Sequence, residues 1–257
     1  MTLVTWDENK KGNERLYSPI RRFLISSTNK IYSPNPTKIV DLVPKMTSNT
    51  TPSGTVIYST NYLANYPYQV FNKSTSGIWS PAHSNITNQY IGYTFSTAQI
   101  VNRYTIQFPQ STSMLYAAPK SWRLEASNDN TSWITLDTRE NEVDWSSLEK
   151  RTFDIDNKDQ YLSYRIYILA NNGNASWVYI SEIEFLQIIN SSLTLLENPS
   201  EEAFSIYGVE KNVSLDMNEL ISSLNYVKYT NTALGSGKVF RQKIDTSKIP
   251  IKKVSIE

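Results

Sequence analysis

Three short stretches of this sequence mix aromatic rings with amides and hydroxyls, the combination a sugar-binding surface requires. Asn171, Asn172 and Asn174 precede Trp177; Tyr62, Tyr66 and Tyr68 lie close together; and His83 is followed by Asn85. Pyranoses present apolar faces ringed by hydroxyls, so a flat ring beside a few planar hydrogen-bonding groups holds them. Arg103, on a neighbouring apolar stretch, adds a charged fork that is expected to reach the same end. Each residue also has a packing role open to it. Trp177 at the start of a strand is a natural lid on a core, Tyr66 and Tyr68 are natural core rings, His83 is an ordinary loop residue, and Arg103 suits a solvated strand face.

Other chemistries find little material. The chain has no cysteine and one histidine, which removes disulfides, thiolate chemistry and every site needing two imidazoles. No Gly-x-Ser-x-Gly elbow, phosphate loop or dinucleotide fingerprint occurs, and residues 235–238, Gly-Ser-Gly-Lys, read as a turn. A glycosidase needs only two carboxylates, which 24 acidic residues supply in number, but the expectation here is a non-catalytic chain. A formal charge of +1 gives no footprint for nucleic acid. No apolar run reaches the length of a bilayer span, and the first nine residues do not read as a secretory leader.

The elements that must position these residues are strands. Between residues 47 and 189 short apolar-alternating runs recur at 56–59, 89–95, 100–108, 121–127, 133–137, 150–155, 161–170 and 178–187. Tyr164, Ile166 and Ile168 share one face and Arg165 and Tyr167 the other, as a half-buried strand demands. Eight such runs with turn residues between them predict a sandwich or barrel. Upstream, residues 22–26 and 30–33 read as a hairpin, and Pro34, Pro36 and Pro44 make 34–46 a connector. Downstream, Asn198, Pro199 and Glu201 read as a helix start with Gly208 at its end, and Asp216 with Glu219 begins a second helix; strands are expected at 238–244 and 251–256. The expected organisation is an N-terminal β segment and linker (1–46), a central β domain (47–189) and a small α+β unit (190–257).

The central segment resembles the discoidin, or F5/8 type C, family, which overlaps the galactose-binding-like carbohydrate-binding modules. The resemblance rests on residues 68–72 (Tyr-Gln-Val-Phe-Asn) followed by Trp79, on residues 122–129 followed by Trp133, on residues 164–167 and on residues 180–185. It implies an eight-stranded jelly-roll-like β-sandwich with adjacent termini and ligand loops at the far end, and it assigns Trp79, Trp122 and Trp133 to packing. It also implies a structural calcium ion beside Asn72, Thr75 and Glu182. Here Asn72 stands where the family carries an aspartate, Lys73 follows it and Gly77 replaces a hydroxyl ligand. These departures weaken a cation that favours six to eight oxygens including carboxylates, with Lys73 or a hydrogen-bond network as the substitute.

The functional expectation is a cell-surface glycan-binding adhesin. Residues 198–226 resemble small units beside carbohydrate-binding domains in phage tail or bacteriocin proteins, which suggests a receptor-binding protein on a virion or extracellular surface. Other subunits of a multicopy assembly, including further copies of this chain, are then its partners. Two alternatives stay open: a component that decorates an assembly without binding glycan, and an accessory part of a secreted glycosidase.

Overall fold

The computed structural model describes residues 2–6, 21–26 and 29–222. The strands expected at 238–244 and 251–256, and the end of the second helix, lie outside the described residues. In chain order the strands are β1 (Thr2–Trp6), β2 (Arg21–Ile25), β3 (Ile31–Asn35), β4 (Lys38–Asp41), β5 (Thr55–Tyr58), β6 (Gln89–Gln99) and β7 (Arg103–Gln107). They continue with β8 (Pro119–Ser127), β9 (Ile134–Arg139), β10 (Lys150–Asp154), β11 (Tyr161–Asn171), β12 (Glu182–Ile189), β13 (Ser192–Leu196) and β14 (Val209–Glu210), with helices α1 (Glu201–Ile206) and α2 (Met217–Ser222). The protein is mainly β.

Two antiparallel sheets, ordered β10-β7-β12-β4 and β5-β6-β11-β8-β9, form the sandwich. All eight expected central strands are present. The alternation read in β11 also holds, because Tyr164, Ile166 and Ile168 are fully buried while Arg165 and Tyr167 are half-buried on the outer face. Trp79, Trp122, Phe71, Phe108 and Phe185 fill the space between the sheets, each contributing on the order of 1.5–3 kcal/mol of apolar burial. A polar thread crosses this core. The Trp122 indole donates to the Tyr104 hydroxyl at 3.0 Å, and Tyr104 donates to Asp137 at 2.7 Å, which ties β8 to β7 and β7 to β9.

Several expectations need correction. Trp133 is not in the core: it is half-buried and lies on the Arg165 guanidinium, 3.8 Å from ring centroid to carbon. The strand it enters is the sheet edge, where a ring stacks on a cation instead of on the facing sheet. The segment read as a connector carries strand structure. Strand β3 runs through Pro34, where β13 is its ladder partner and β2, which pairs only with Ile31 and Tyr32, has already diverged, so the missing N–H is tolerated. Strand β4 joins the sandwich through β12, and Val43 and Met46 are buried in its core.

The flanks form one sheet, ordered β1-β2-β3-β13 with β14 on β2. The upstream hairpin is present as β2 and β3, and it pairs with strands from beyond the central segment. The first helix is capped by Ser200, whose hydroxyl accepts from the Ala203 N–H at 3.1 Å, instead of by Asn198. Gly208 has φ +87°, and a Cβ there would lie 2.5 Å from the Phe23 ring, so this helix exit admits only glycine. No described helix is long and apolar enough to cross a membrane.

Candidate functional site

Strand register sorts the loops between two poles. Gln107 pairs with Lys150 and Glu182, Asn171 with Pro119, Ile91 with Tyr58, and Trp122 with Arg139. The β5–β6, β7–β8, β9–β10 and β11–β12 connections therefore gather at one pole. Lys38 pairs with Ile189, and the Thr37 hydroxyl accepts from the Ser191 N–H. The chain thus enters and leaves the sandwich side by side at the opposite pole, next to the flanking sheet.

At the first pole two connections bring three rings together: Tyr62 and His83 from the two ends of the long β5–β6 connection, and Trp177 from β11–β12. The Trp177 ring meets Tyr62 edge-on at 4.6 Å and His83 edge-on at 4.7 Å. Backbone bonds hold the loops in place: Tyr62 N–H to Ser80 O, Ser84 N–H to Ser176 O and Asn88 N–H to Ile168 O. The Trp79 indole, deep in the core, donates to Thr60 O and anchors the first loop from below. Trp177 is half-buried and His83 exposed, so the patch has a solvent-facing surface. Tyr179 completes it, stacked 6.0 Å from Trp177. Tyr179 is not among the candidate residues singled out by sequence, although its spacing of two from Trp177 on an extended segment signals a shared face.

The remaining candidates are placed differently. Tyr66 and Tyr68 stack on one another at 6.1 Å, Tyr66 half exposed to solvent and Tyr68 packed against the core. Asn171, Asn172 and Asn174 were expected to offer their amides to a ligand, but these amides build the loop. Asn171 is buried and donates to the carbonyls of Asn174 and Trp177, both at 2.7 Å. Asn174 accepts from the Ser176 and Trp177 N–H groups, and Asn172 donates to the carbonyls of Ala118, Pro119 and Glu142. A tight turn leaves backbone groups unpaired, and Asn satisfies them locally. Arg103 does not reach this pole. It sits at the far end of β7, four residues or about 13 Å from Gln107, and pairs with Asp154.

The residues expected to hold calcium do not fit it. Glu182 and Thr75 line a cavity of about 160 Å³ with Glu184, Gln107, Lys73 and Lys150, while Asn72 turns its side chain to accept from the Ser74 N–H at 2.8 Å. Lys73 pairs with Asp41 through its ammonium and donates its backbone N–H to Glu182, and Lys150 pairs with Glu184 at 2.9 Å. A divalent cation entering here meets two ammonium groups. Glu182 Oε2 is buried without a hydrogen-bond partner, and burial pushes its carboxyl up to about 8. No group of three or more acidic or histidine side chains suited to a metal occurs among the described residues.

Comparison with known proteins bears on the same segment. The model of the F5/8 type C domain family matches residues 46–183, more than half of the chain. This chain belongs to the F5/8 type C domain family. Solved structures similar to this F5/8 type C chain include the family 32 carbohydrate-binding module of C. perfringens NanJ in complex with galactose. That module is 12% identical over 52% of this chain and 93% of its own, with a TM-score of 0.44. A second module, from Clostridium perfringens in complex with GalNAc-β-1,3-galactose, is 13% identical over 51% and 93%, at 0.43. Chitosan-binding module 1 of a Paenibacillus sp. IK-5 chitosanase/glucanase is 18% identical over 58% and 98%, at 0.45. No curated protein matches.

Proposed function

We propose that this F5/8 type C chain is a non-catalytic glycan-binding protein, and that Trp177, Tyr62, His83 and Tyr179 hold a neutral sugar of a cell-surface carbohydrate. One observation carries this reading: aromatic side chains from the β5–β6 and β11–β12 connections converge on the pole opposite the chain's entry and exit. Rings on a half-buried surface suit the apolar face of a pyranose, and none of these four side chains is a carboxylate or an ammonium group, which favours a neutral ligand. In its finer form the protein is an adhesin on a multicopy surface assembly of the phage-tail or bacteriocin kind, with the flanking sheet as its attachment platform. Supporting that form is the location of this sheet, which leaves the aromatic pole free to face outward.

Binding of the full chain to isolated bacterial cell walls and to a glycan array tests the reading. Trp177→Ala, with circular dichroism unchanged, is expected to lower binding at least tenfold. Absence of wild-type binding overturns the glycan reading and leaves the decorating role, and release of reducing sugar points to an accessory glycosidase part. A monomeric mass by light scattering at micromolar concentration counts against the multicopy form.

A further inference from the structure

A second cleft opens at the same pole, on the other side of the 171–177 turn. Its volume is about 500 Å³, and Leu115, Tyr116, Val143, Asp144, Trp145 and Asn172 line it. Its walls are fixed. The buried Trp145 indole donates to Pro119 O at 2.9 Å and to Glu142 O at 3.1 Å, and Arg151 lies over the Trp145 ring while bonding Glu142 and the Val143 carbonyl. The two N–H bonds of Asn172 Nδ2, shared among three carbonyls, set the plane of its amide and leave Oδ1 as the acceptor. Yet Tyr116 is 68% exposed and Val143 41% exposed above this rigid floor. A preformed cleft with an exposed ring, an exposed carboxylate and a fixed amide has the composition of a small polar-ligand site.

This cleft and the aromatic patch are joined by backbone. Asn174 N–H bonds Tyr116 O, Asn172 N–H bonds Ala118 O and Tyr179 N–H bonds Ala117 O. Asn174 and Trp177 are only three positions apart, a span of at most about 11 Å. We infer that the Tyr116–Asp144–Asn172 cleft is a second sugar subsite, so that the ligand is an oligosaccharide lying across the 171–177 turn with one unit at Trp177 and another on Tyr116. The inference rests on the glycan reading above and specifies its substrate class. Asp144 accepts hydroxyl or ammonium donors and repels a carboxylate, so the second unit is a neutral or amino sugar and not a uronate.

The test uses the full chain with galactose and N-acetylglucosamine, each as monosaccharide and as tetrasaccharide. Calorimetry is expected to show one tetrasaccharide bound about tenfold more tightly than its monosaccharide, the gain one added ring contact supplies. Tyr116→Ala removes that gain and leaves monosaccharide affinity unchanged, and Asp144→Ala lowers it partway. In NMR spectra the tetrasaccharide shifts the indole N–H signals of both Trp145 and Trp177, and the monosaccharide shifts only that of Trp177. Equal affinity for both lengths, with binding still lost in Trp177→Ala, overturns the second subsite alone. Lack of binding by all four sugars overturns it together with the reading it rests on. Tyr116 is mostly solvent-exposed, so its replacement removes no core packing.

Discussion

Asparagine at this pole is structural first, and the difference is measurable. In Asn171→Ala the carbonyls of Asn174 and Trp177 lose their donor and the Gly173 N–H its acceptor. Buried groups left unpaired cost about 1–3 kcal/mol, so the melting temperature falls by several degrees, and sugar binding weakens because the loop beneath Trp177 shifts. An Asn171→Ala protein that melts as wild type and loses binding would return the amide to ligand contact. Glu182 offers a pH test. Its folded pKa of about 8 exceeds the ordinary 4.5, so the folded chain keeps a proton that the unfolded chain releases. That contribution to stability is complete below about pH 4.5, falls through the window up to about 8 and is gone above it. Glu182→Gln lacks this slope and is expected to gain on wild type by up to a few kcal/mol near pH 9. Parallel denaturation profiles for the two proteins would contradict this, as would a calcium-induced rise in wild-type melting.

At the scale of elements, the sandwich is joined across its middle by the Trp122–Tyr104–Asp137 thread as well as by apolar packing. Tyr104→Phe keeps the ring stacked on Phe153, 5.0 Å away, and removes only the hydroxyl. The Trp122 indole then has no acceptor, and Asp137 retains Arg139 as its neighbour. A loss of about 1–3 kcal/mol is expected from the urea midpoint, and a change below about 0.5 kcal/mol would show that the thread is incidental. Outer-face chemistry follows the same logic. Arg165, bonded to Glu125 at 2.8 Å, lies over Trp133, Tyr90 and Tyr167, so one cation pairs with a buried carboxylate and covers three rings.

For the whole molecule, the sandwich extends upstream of the family match. Strand β4 closes one sheet edge, and Val43 and Met46 are about 1% exposed. A fragment of residues 47–189 therefore lacks an edge strand and two core side chains, each worth about 2–5 kcal/mol when removed. It is expected to melt on the order of 10 °C or more below a fragment of residues 36–191. Equal melting of the two would place the domain boundary at 47 after all. The pairing of β3 with β13 gives the flanks a common sheet, so entry and exit share one anchor point and the opposite pole is free for a ligand.

Alternation along strands and the positions of turn residues were enough to place all eight central strands, because burial on one face of a sheet imposes a period of two on the chain itself. The same local signals drew attention to Trp177, Tyr62 and His83. What the sequence left open was decided by partners remote along the chain. Whether Asn171 faces a ligand or its own loop depends on which carbonyls the turn leaves unpaired. Whether Arg103 lies at the binding pole depends on strand register, and whether residues 38–41 are linker or strand depends on the free edge of β12. Tertiary structure alone fixed these, since hydrogen-bond partners and poles are properties of chain segments brought together, which no local pattern encodes.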